Sequence, residues 1–245
     1  MGQGTERIED TLATVFPDIT AVRVDRDTVR ARGDIDRVLE RVRSGEARIL
    51  VGTQMLTKGH DFPDVSLVIV INADQGLFGT DFRTAERLAQ TIVQVSGRAG
   101  RASRPGEVLI QTSCPEHPLL QQLLTDGYEG FAKAAMAERE AARWPPYSRL
   151  ALLRVEAADA ATAMAFLNAA RALAEQAGHP GVRLLGPAPA AMERRAGRYR
   201  AQLLLEAADR SRLKQLLDPW ALKLEALPQA RRVRWSLDID PIEIT

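Results

Sequence analysis

Short apolar runs that alternate with helical patterns restrict the fold of the first half of this chain more than any other feature. Residues 47–51 and 65–71 are nearly continuous apolar runs, which are typical of parallel strands buried on both faces. Residues 107–112 are predicted to form the last strand of this half. Helical patterns lie between the runs, one capped at its start by Asp34 and one over residues 84–97. This alternation predicts a parallel sheet wrapped by helices.

A different order of elements follows residue 147. A helical pattern over residues 119–143 is broken by Trp-Pro-Pro-Tyr at 144–147, because proline cannot continue a helix. The patterns beyond it predict a β-α-β-β-α-β layout, with strands at 150–155, 182–185, 199–206 and 233–239 and helices at 160–177 and 210–227. We therefore expect an α/β domain at 1–125, a helical linker at 126–147 and a small α+β domain at 148–245.

Composition excludes several classes of protein. The chain has 245 residues, of which 45% are hydrophobic and 27% are charged, so it can bury one or two cores. Its single cysteine, Cys114, argues against a disulfide framework and cannot form a metal site alone. No apolar stretch reaches the roughly 18 residues that a membrane-spanning helix requires. These features predict a cytoplasmic protein with no membrane association and no metal site.

The first candidate site is the stretch 94–101, in which Arg98 and Arg101 lie three residues apart at the end of a helical pattern. Gly97 and Gly100 have no side chains, which leaves room for a bulky anion to approach the backbone. A guanidinium suits phosphate because it presents a planar fork of donors that stays charged. The alternative is a solvated basic turn that ends the helix at a glycine.

A second candidate is the loop 52–62, which follows the predicted strand 47–51. Ligands of open α/β sheets bind at the carboxyl ends of such strands. The loop is not a phosphate loop, because Thr57 stands where the second glycine belongs and Gly59 where a magnesium-binding hydroxyl belongs. The chain contains no Asp-Glu dipeptide, and no Gly-x-Gly-x-x-Gly follows a predicted strand. An ordinary nucleotide-binding α/β enzyme is therefore disfavoured.

A third candidate is a basic patch near the end of the chain. The net charge is only +1, so binding to nucleic acid must depend on local patches. Residues 190–236 hold 11 Lys/Arg against 5 Asp/Glu, led by an arginine-rich turn that contains Arg194, Arg195, Arg198, Arg200 and Tyr199. Such a hairpin can pair with phosphates and stack a base. The alternative is a solvated loop that keeps a small domain soluble.

The motifs resemble those of one helicase family. Residues 52–62 are similar to motif V of superfamily-2 helicases, and residues 94–101 are similar to motif VI. Further segments resemble the family of primosomal protein N′ (PriA), namely residues 23–28, 54–62, 81–87, 144–147 and 237–241. The resemblance runs almost end to end but covers only about the final third of that family's length.

For the first domain, the resemblance implies the second RecA-like lobe of a motor that binds ATP between two lobes. The resemblance implies that Arg101 is the arginine finger and that Arg98 holds the γ-phosphate. It implies that the Gln94 amide senses whether ATP has been hydrolysed. Gly59 and Asp61 meet the nucleotide, with Asp61 accepting a hydrogen bond from the ribose. ATP and Mg²⁺ are held mainly by the first lobe, which this chain lacks. The family's zinc insertion is absent here as well, so we expect no zinc.

For DNA and partners, the resemblance implies contacts to single-stranded and forked DNA, to the acidic tail of single-stranded DNA-binding protein and to other primosome proteins. The candidates for DNA contact are Thr53, Gln54, Lys58, Arg194, Arg195 and Arg200. The candidates for tail contact are Arg198 and Gln202, which lie two pleats apart on one predicted strand and so share a face.

The implied function is that of the C-terminal half of an ATP-dependent 3′–5′ DNA helicase that restarts stalled replication forks and loads the primosome. Alone, the chain is expected to hydrolyse no ATP and to unwind no DNA. The alternative that remains open is a standalone DNA- or protein-binding adaptor without motor activity. Salt-sensitive DNA binding that does not respond to a first lobe would favour the adaptor.

Overall fold

The computed structural model describes residues 4–25, 33–52, 65–97 and 106–244. Contacts between Cα atoms divide the chain into two compact units. The first contains Met1–Gly76 and Arg87–Pro115, and the second contains Leu77–Glu86 and Glu116–Thr245. Helices occur with both parallel and antiparallel sheets, so the prediction of a mixed α/β chain is confirmed.

The first half of the chain forms helices α1 to α4 and strands β1 to β4. Their bounds are α1 Thr5–Val15, β1 Ala21–Val24, α2 Asp34–Arg43, β2 Ile49–Gly52, β3 Leu67–Val70, α3 Asp74–Leu77, α4 Thr84–Ser96 and β4 Glu107–Ile110. Strand β1 pairs with β2 and strand β3 with β4, and both pairs are parallel. The apolar runs therefore form parallel strands, as predicted. Within the described residues, however, they pair as two separate sheets rather than one, and Leu67, Ile69 and Leu109 are exposed rather than buried.

The start of α2 differs from the expectation. Gly33 occupies the N-cap position with φ 100, and no side chain caps the helix. Asp34 is the first helical residue, and its carboxylate accepts a hydrogen bond from the Arg37 guanidinium at 2.9 Å. The prediction of Asp34 as the N-cap was wrong because glycine adopts the left-handed conformation of that position without strain. The Asp34 charge still favours the positive end of the helix dipole.

The second half forms α5 to α7 and β5 to β8, together with a short 3₁₀ helix at Pro228–Arg232. Their bounds are α5 Pro118–Ala142, β5 Arg149–Ala157, α6 Ala160–Ala177, β6 Val182–Arg195, β7 Arg198–Ala207, α7 Arg210–Ala226 and β8 Arg234–Ile239. From β5 onward these elements follow the β-α-β-β-α-β order. The four strands make one antiparallel sheet with the spatial order β6-β7-β5-β8.

Strand β6 is much longer than the four residues expected from the pattern. It continues to Arg195 although Pro187 and Pro189 lie within it, and its pairing with β7 shifts register on both sides of this region. Proline cannot donate to a ladder, and β6 tolerates it because it is an edge strand of the sheet. The predicted strand was too short because the prolines interrupt the alternation of residues from which its length was predicted.

One face of this sheet packs against helices α6 and α7. The core between them is built from inward-facing strand residues such as Leu153 and Leu203 and from Phe166 and Trp220 of the helices, all at most 1% exposed. The Trp220 indole N–H donates a hydrogen bond to the carbonyl of Ala170 at 2.8 Å. This core fixes the sheet on which the arginine-rich hairpin is built.

We call the opposite side of the sheet the outer face. It carries the alternate residues of β5 and β7, which are Leu150, Leu152, Arg154 and Glu156 on β5 and Arg198, Arg200, Gln202, Leu204 and Glu206 on β7. Leu150 and Leu152 are buried there with Ile244, and Phe82, Trp144 and Leu204 pack against them. The outer face is therefore apolar and covered at one end and charged at the other.

Asp81 ties two distant segments together over the covered end. The residue is 6% exposed, and its carboxylate accepts a hydrogen bond from the backbone N–H of Ile244 at 2.9 Å. The other carboxylate oxygen accepts from the N–H of Arg83 at 2.8 Å. A buried carboxylate requires hydrogen-bond donors. Here one donor is the N–H of Ile244, 163 positions away in the sequence, and the other is the N–H of Arg83 in the same turn.

Phe82 lies next to this carboxylate and is held from several sides. Its ring stacks on Trp144 with centroids 5.5 Å apart and an interplanar angle of 9°. The Arg139 guanidinium lies 5.1 Å from the centroid of the same ring and forms an ion pair with Glu86. The segment that leads into α4 is thus packed against the end of α5 and the segment that follows it.

Candidate nucleic-acid interface

Most of the predicted motor residues lie outside the described part of the chain. These are Thr53, Gln54, Lys58, Gly59, Asp61, Arg98 and Arg101. Gln94 is described, and it lies in the last turn of α4. This helix buries Ala89 and Ile92 and leaves Gln94 exposed. The side chain of Gln94 is therefore accessible to a ligand.

The predicted basic patch is the hairpin between β6 and β7. Its turn is formed by Ala196 and Gly197, both with positive φ, as the right-handed twist of a hairpin favours. Arg195 lies directly opposite Arg198 across this turn. Residues opposite each other in an antiparallel pair project to the same face. Both arginines therefore belong to the outer face.

Arg194 lies on the other side of the hairpin. It is opposite Tyr199, and its guanidinium carbon is 5.3 Å from the centroid of the tyrosine ring. Arginine over an aromatic ring is a favourable cation–π arrangement. Of the residues predicted for DNA contact in the hairpin, Arg195 and Arg200 thus share the outer face, while Arg194 and Tyr199 project to the opposite side.

Two charged residues that sequence reasoning missed complete the outer face. Glu156 of β5 lies directly opposite Arg200 of β7 and Arg234 of β8. The Arg200 Nε atom is 3.6 Å from the nearer Glu156 carboxylate oxygen. Period-two alternation gives the face of each residue within its strand, but only the pairing of β5 with both neighbours brings the three together. The outer face therefore has a mixed but mainly basic end.

Gln202 marks the inner limit of this basic end. Its side-chain N–H donates a hydrogen bond to the carbonyl of Ile244 at 2.9 Å. Arg154, directly opposite Gln202, donates to the Asp238 carboxylate at 2.8 Å and to the carbonyl of Glu243. Arg198 and Gln202 do share a face, and the amide of Gln202 is already bound to the segment that crosses the sheet.

Among the residues that the structure describes, two carboxyl groups have a shifted pKa, and both shifts have local structural causes. The pKa of Asp74 is lowered chiefly by the hydrogen bond from the Thr112 hydroxyl, with a further bond from the Ser113 N–H. The pKa of Asp159 is lowered chiefly by the backbone N–H of Thr162, at 2.7 Å, with the Thr162 hydroxyl and the Arg232 charge adding to it. These bonds brace a strand end and a helix start.

The described residues also bear on metal and membrane binding. Within them, no three His, Cys, Asp or Glu side chains come together as a metal site would require. None of the helices in this part of the chain has the length and apolar character needed to cross a bilayer. Of the candidate sites, the charged end of the outer face lies within the described residues, whereas the loop after β2 and the arginine pair at 98 and 101 do not.

Comparison with protein families matches both halves of the chain. Residues 3–103 match the helicase conserved C-terminal domain, and residues 140–242 match the primosomal protein N C-terminal domain. The two matches do not overlap. They agree with the order of the two sequence patterns, in which the helicase-like motifs precede the small α+β layout.

Similar full-length proteins carry one name. Replication restart protein PriA of Haemophilus influenzae is 42% identical over 244 residues, which are 100% of this chain and 33% of that protein. Replication restart protein PriA of Synechocystis sp. is 42% identical over 99% of this chain and 29% of that protein. The Bacillus subtilis protein of the same name is 37% identical over 98% of this chain and 30% of its own length.

The chain therefore spans about a third of the length of the curated relatives it matches. Both family matches and these relatives agree with the resemblance seen in the motifs. The chain belongs to the family of replication restart protein PriA, and it carries that family's helicase C-terminal and primosomal protein N C-terminal domains.

Proposed function

We propose that this chain is the C-terminal part of an ATP-dependent 3′–5′ DNA helicase that acts in the cytoplasm, restarts stalled replication forks and loads the primosome. The observation that carries the proposal is the pair of family matches, which together cover both halves of the chain. Relatives named for replication restart align over nearly all of it. In this proposal residues 1–125 are the second RecA-like lobe, 126–147 a helical linker and 148–245 the C-terminal domain.

The motor chemistry is shared with a first lobe. ATP and Mg²⁺ bind mainly to that lobe, and this chain contributes Gly59 and Asp61 to the nucleotide and Arg98 to the γ-phosphate. Arg101 acts as the arginine finger, whose charge counts as negative charge shifts during phosphoryl transfer. Such an arginine typically raises kcat by about 10³ to 10⁵. Gln94, exposed at the end of α4, reports hydrolysis to the DNA-binding residues.

DNA and protein contacts are divided between the two halves of the chain. Thr53, Gln54 and Lys58 meet phosphates of single-stranded DNA in the first half. In the second half the arginine hairpin meets forked DNA through Arg194, Arg195 and Arg200. Arg198 and Gln202 receive the acidic tail of single-stranded DNA-binding protein, because a guanidinium can bind a terminal carboxylate through two parallel bonds. Other primosome proteins are further partners, and the family's zinc belongs to a segment outside this chain.

An ATPase measurement tests the motor. We expect the purified chain alone to show no Mg²⁺-dependent ATP hydrolysis. Joining it to the first part of the Haemophilus influenzae relative should restore DNA-stimulated hydrolysis. Arg101→Ala should then lower kcat by about 10³ or more with little change in ATP affinity, because the finger acts in the transition state.

The matched control is Arg43→Ala, an exposed arginine in the last turn of α2, which should leave kcat unchanged. Hydrolysis by the chain alone that Arg101→Ala abolishes would contradict the proposal. So would restored hydrolysis that does not depend on Arg101.

A binding adaptor without motor activity is the second candidate, and the exposed arginine hairpin favours it because that surface needs no ATP. It predicts salt-sensitive binding of single-stranded DNA that does not change when a first lobe is added. Arg198→Glu tests the protein partner, and it should abolish binding of an acidic tail peptide in fluorescence anisotropy. Lys214→Glu, an exposed residue of α7 on the helical side, is the control of equal charge change. Tail binding untouched by Arg198→Glu would remove that partner site.

A further inference from the structure

Glu156 is a carboxylate at the basic end of the outer face. The strand register places it between Arg200 of β7 and Arg234 of β8, each directly opposite it. Arg198 follows on the same face of β7, and Arg195 lies opposite Arg198 on β6. Four arginines from three strands thus share the outer face with this one carboxylate of β5. No described cross-strand contact of Glu156 is with another acid.

The contact between Glu156 and Arg200 is of a kind that can be exchanged. The two side chains approach to 3.6 Å, and their exposed fractions are 41% for Glu156 and 19% for Arg200. At that distance the pair is an ion pair rather than a good hydrogen bond. The Glu156 side of the pair is exposed, so water and salt compete for its carboxylate and weaken the pair. A ligand anion with better geometry can therefore take the place of the carboxylate.

We propose that Glu156 is an internal competitor for the DNA that this surface binds. Without DNA it holds Arg200 on the sheet. When a phosphate of single-stranded DNA arrives, Arg200 exchanges the Glu156 carboxylate for the phosphate oxygens. Glu156 thereby sets how tightly and how selectively the outer face binds polyanions. The inference rests on the proposed DNA-binding function of this hairpin and assigns Glu156 and Arg234 to the same surface.

The observations favour nucleic acid as the ligand of Arg200 and Arg234, beside the proposed tail contacts Arg198 and Gln202. The arginines extend from β6 across β7 and β5 to β8, a distance of about 14 Å at the usual strand spacing. The apolar rows of this face, at Leu150, Leu152 and Leu204, are packed beneath Ile244, Phe82 and Trp144, so the uncovered end offers a ligand mainly guanidinium groups. A strand of phosphates can follow such a row, because successive guanidinium groups can pair with successive phosphates.

The test measures binding of a fluorescent oligothymidine to the full chain over a series of salt concentrations. Glu156→Gln keeps the size of the side chain and removes its charge. We expect it to tighten binding by about 2- to 5-fold at low salt, the range that a surface ion pair supports. The slope of log affinity against log salt should steepen by about 0.7, because one more guanidinium contacts a phosphate. Arg234→Gln should weaken binding and reduce the slope by a similar amount.

Two controls separate a specific competitor from a general change in charge. Glu193→Gln removes an equal charge from an exposed position of β6 and should tighten binding less. In an Arg200→Gln background, Glu156→Gln should have almost no effect, because the arginine that it releases is absent. Circular dichroism of each variant confirms that the sheet is retained.

Binding that is unchanged by Glu156→Gln, equally tightened by Glu193→Gln, or still tightened without Arg200 overturns the inference and leaves the proposed DNA contact standing. Absence of oligonucleotide binding by the unmodified chain at low salt overturns both. If an acidic peptide responds to Glu156→Gln and the oligonucleotide does not, nucleic acid is the wrong ligand. Tightening that depends on Arg200, together with a steeper salt slope, supports the competitor.

Discussion

The two faces of the four-stranded sheet use the same strands differently. Neighbouring residues Leu152 and Leu153 of β5 are both fully buried, although they project to opposite faces. Leu153 packs in the core beneath α6 and α7, whereas Leu152 packs beneath Ile244 and Phe82. Beyond this covered end, the outer face changes to charged residues such as Glu156 and Arg200. The helical face is uniform, and the outer face is divided.

The two faces of the sheet are covered by segments with different connections along the chain. Helices α6 and α7 follow their strands directly in sequence, and each begins at an aspartate that caps its first turn, Asp159 and Asp209. The covered end of the outer face depends instead on segments remote in sequence, around residues 82, 144 and 244. We infer that the helical face supplies most of the stability, the covered end a smaller share, and the charged end mainly binding.

The largest expected effect tests the helical face. Trp220→Ala removes a side chain that is 1% exposed together with its hydrogen bond to Ala170. Substitutions of this kind typically lower the free energy of unfolding by about 3–5 kcal/mol. Urea denaturation followed by far-UV circular dichroism measures the loss. Leu222→Ala on the same helix, at a side chain 70% exposed, should change it by less than about 0.5 kcal/mol. Equal losses would break the contrast between core and surface on α7.

A smaller effect tests the covered end of the outer face. Asp81→Ala leaves the buried N–H of Ile244 without its acceptor and removes the bond from the N–H of Arg83. An unsatisfied buried donor costs about 1–3 kcal/mol, so the free energy of unfolding should fall by that amount. Asp218→Ala, at an exposed position of α7, is the control and should have almost no effect. A loss as large as that of Trp220→Ala would mean that both faces contribute equally to stability.

The sequence predicted those parts of the fold that depend on neighbouring residues. Helix α6 has the expected bounds, Ala160–Ala177, because its periodic apolar residues lie between an aspartate cap and the left-handed Gly178. Strands β2, β3 and β4 were predicted because each contains a short apolar run, whereas β1, which is interrupted by Arg23, was not predicted. These signals act over a few residues, so a single sequence contains them.

The outer face could be predicted only in part, because it depends on pairing. The four hairpin arginines were found from composition, and the spacing of Arg198 and Gln202 placed them on one face. Glu156 and Arg234 were missed, since nothing local indicates that Glu156 of β5 lies directly opposite both Arg200 of β7 and Arg234 of β8. The bond of Gln202 to Ile244 joins residues 42 positions apart, and no pattern along the strand encodes it.

The smallest expected effect concerns pH and returns to the helical face. The pKa of Asp159 lies below its usual value of 3.8, because the carboxylate accepts bonds from the N–H and hydroxyl of Thr162 and is attracted by Arg232. A carboxyl group whose pKa is lowered by folding stabilises the folded state above its usual pKa. That stabilisation is lost as the pH falls through the lowered value, since the unfolded chain then binds the proton more readily.

Asp159→Asn keeps an oxygen acceptor at the cap and cannot titrate. We therefore expect the wild-type chain to be the more stable at neutral pH and the difference to shrink well below pH 3.8. Thermal unfolding over a pH series measures the difference in stability between the wild-type chain and the variant, with Asp218→Asn as the exposed control. A difference that stays constant with pH would show that the charge of the cap does not stabilise α6.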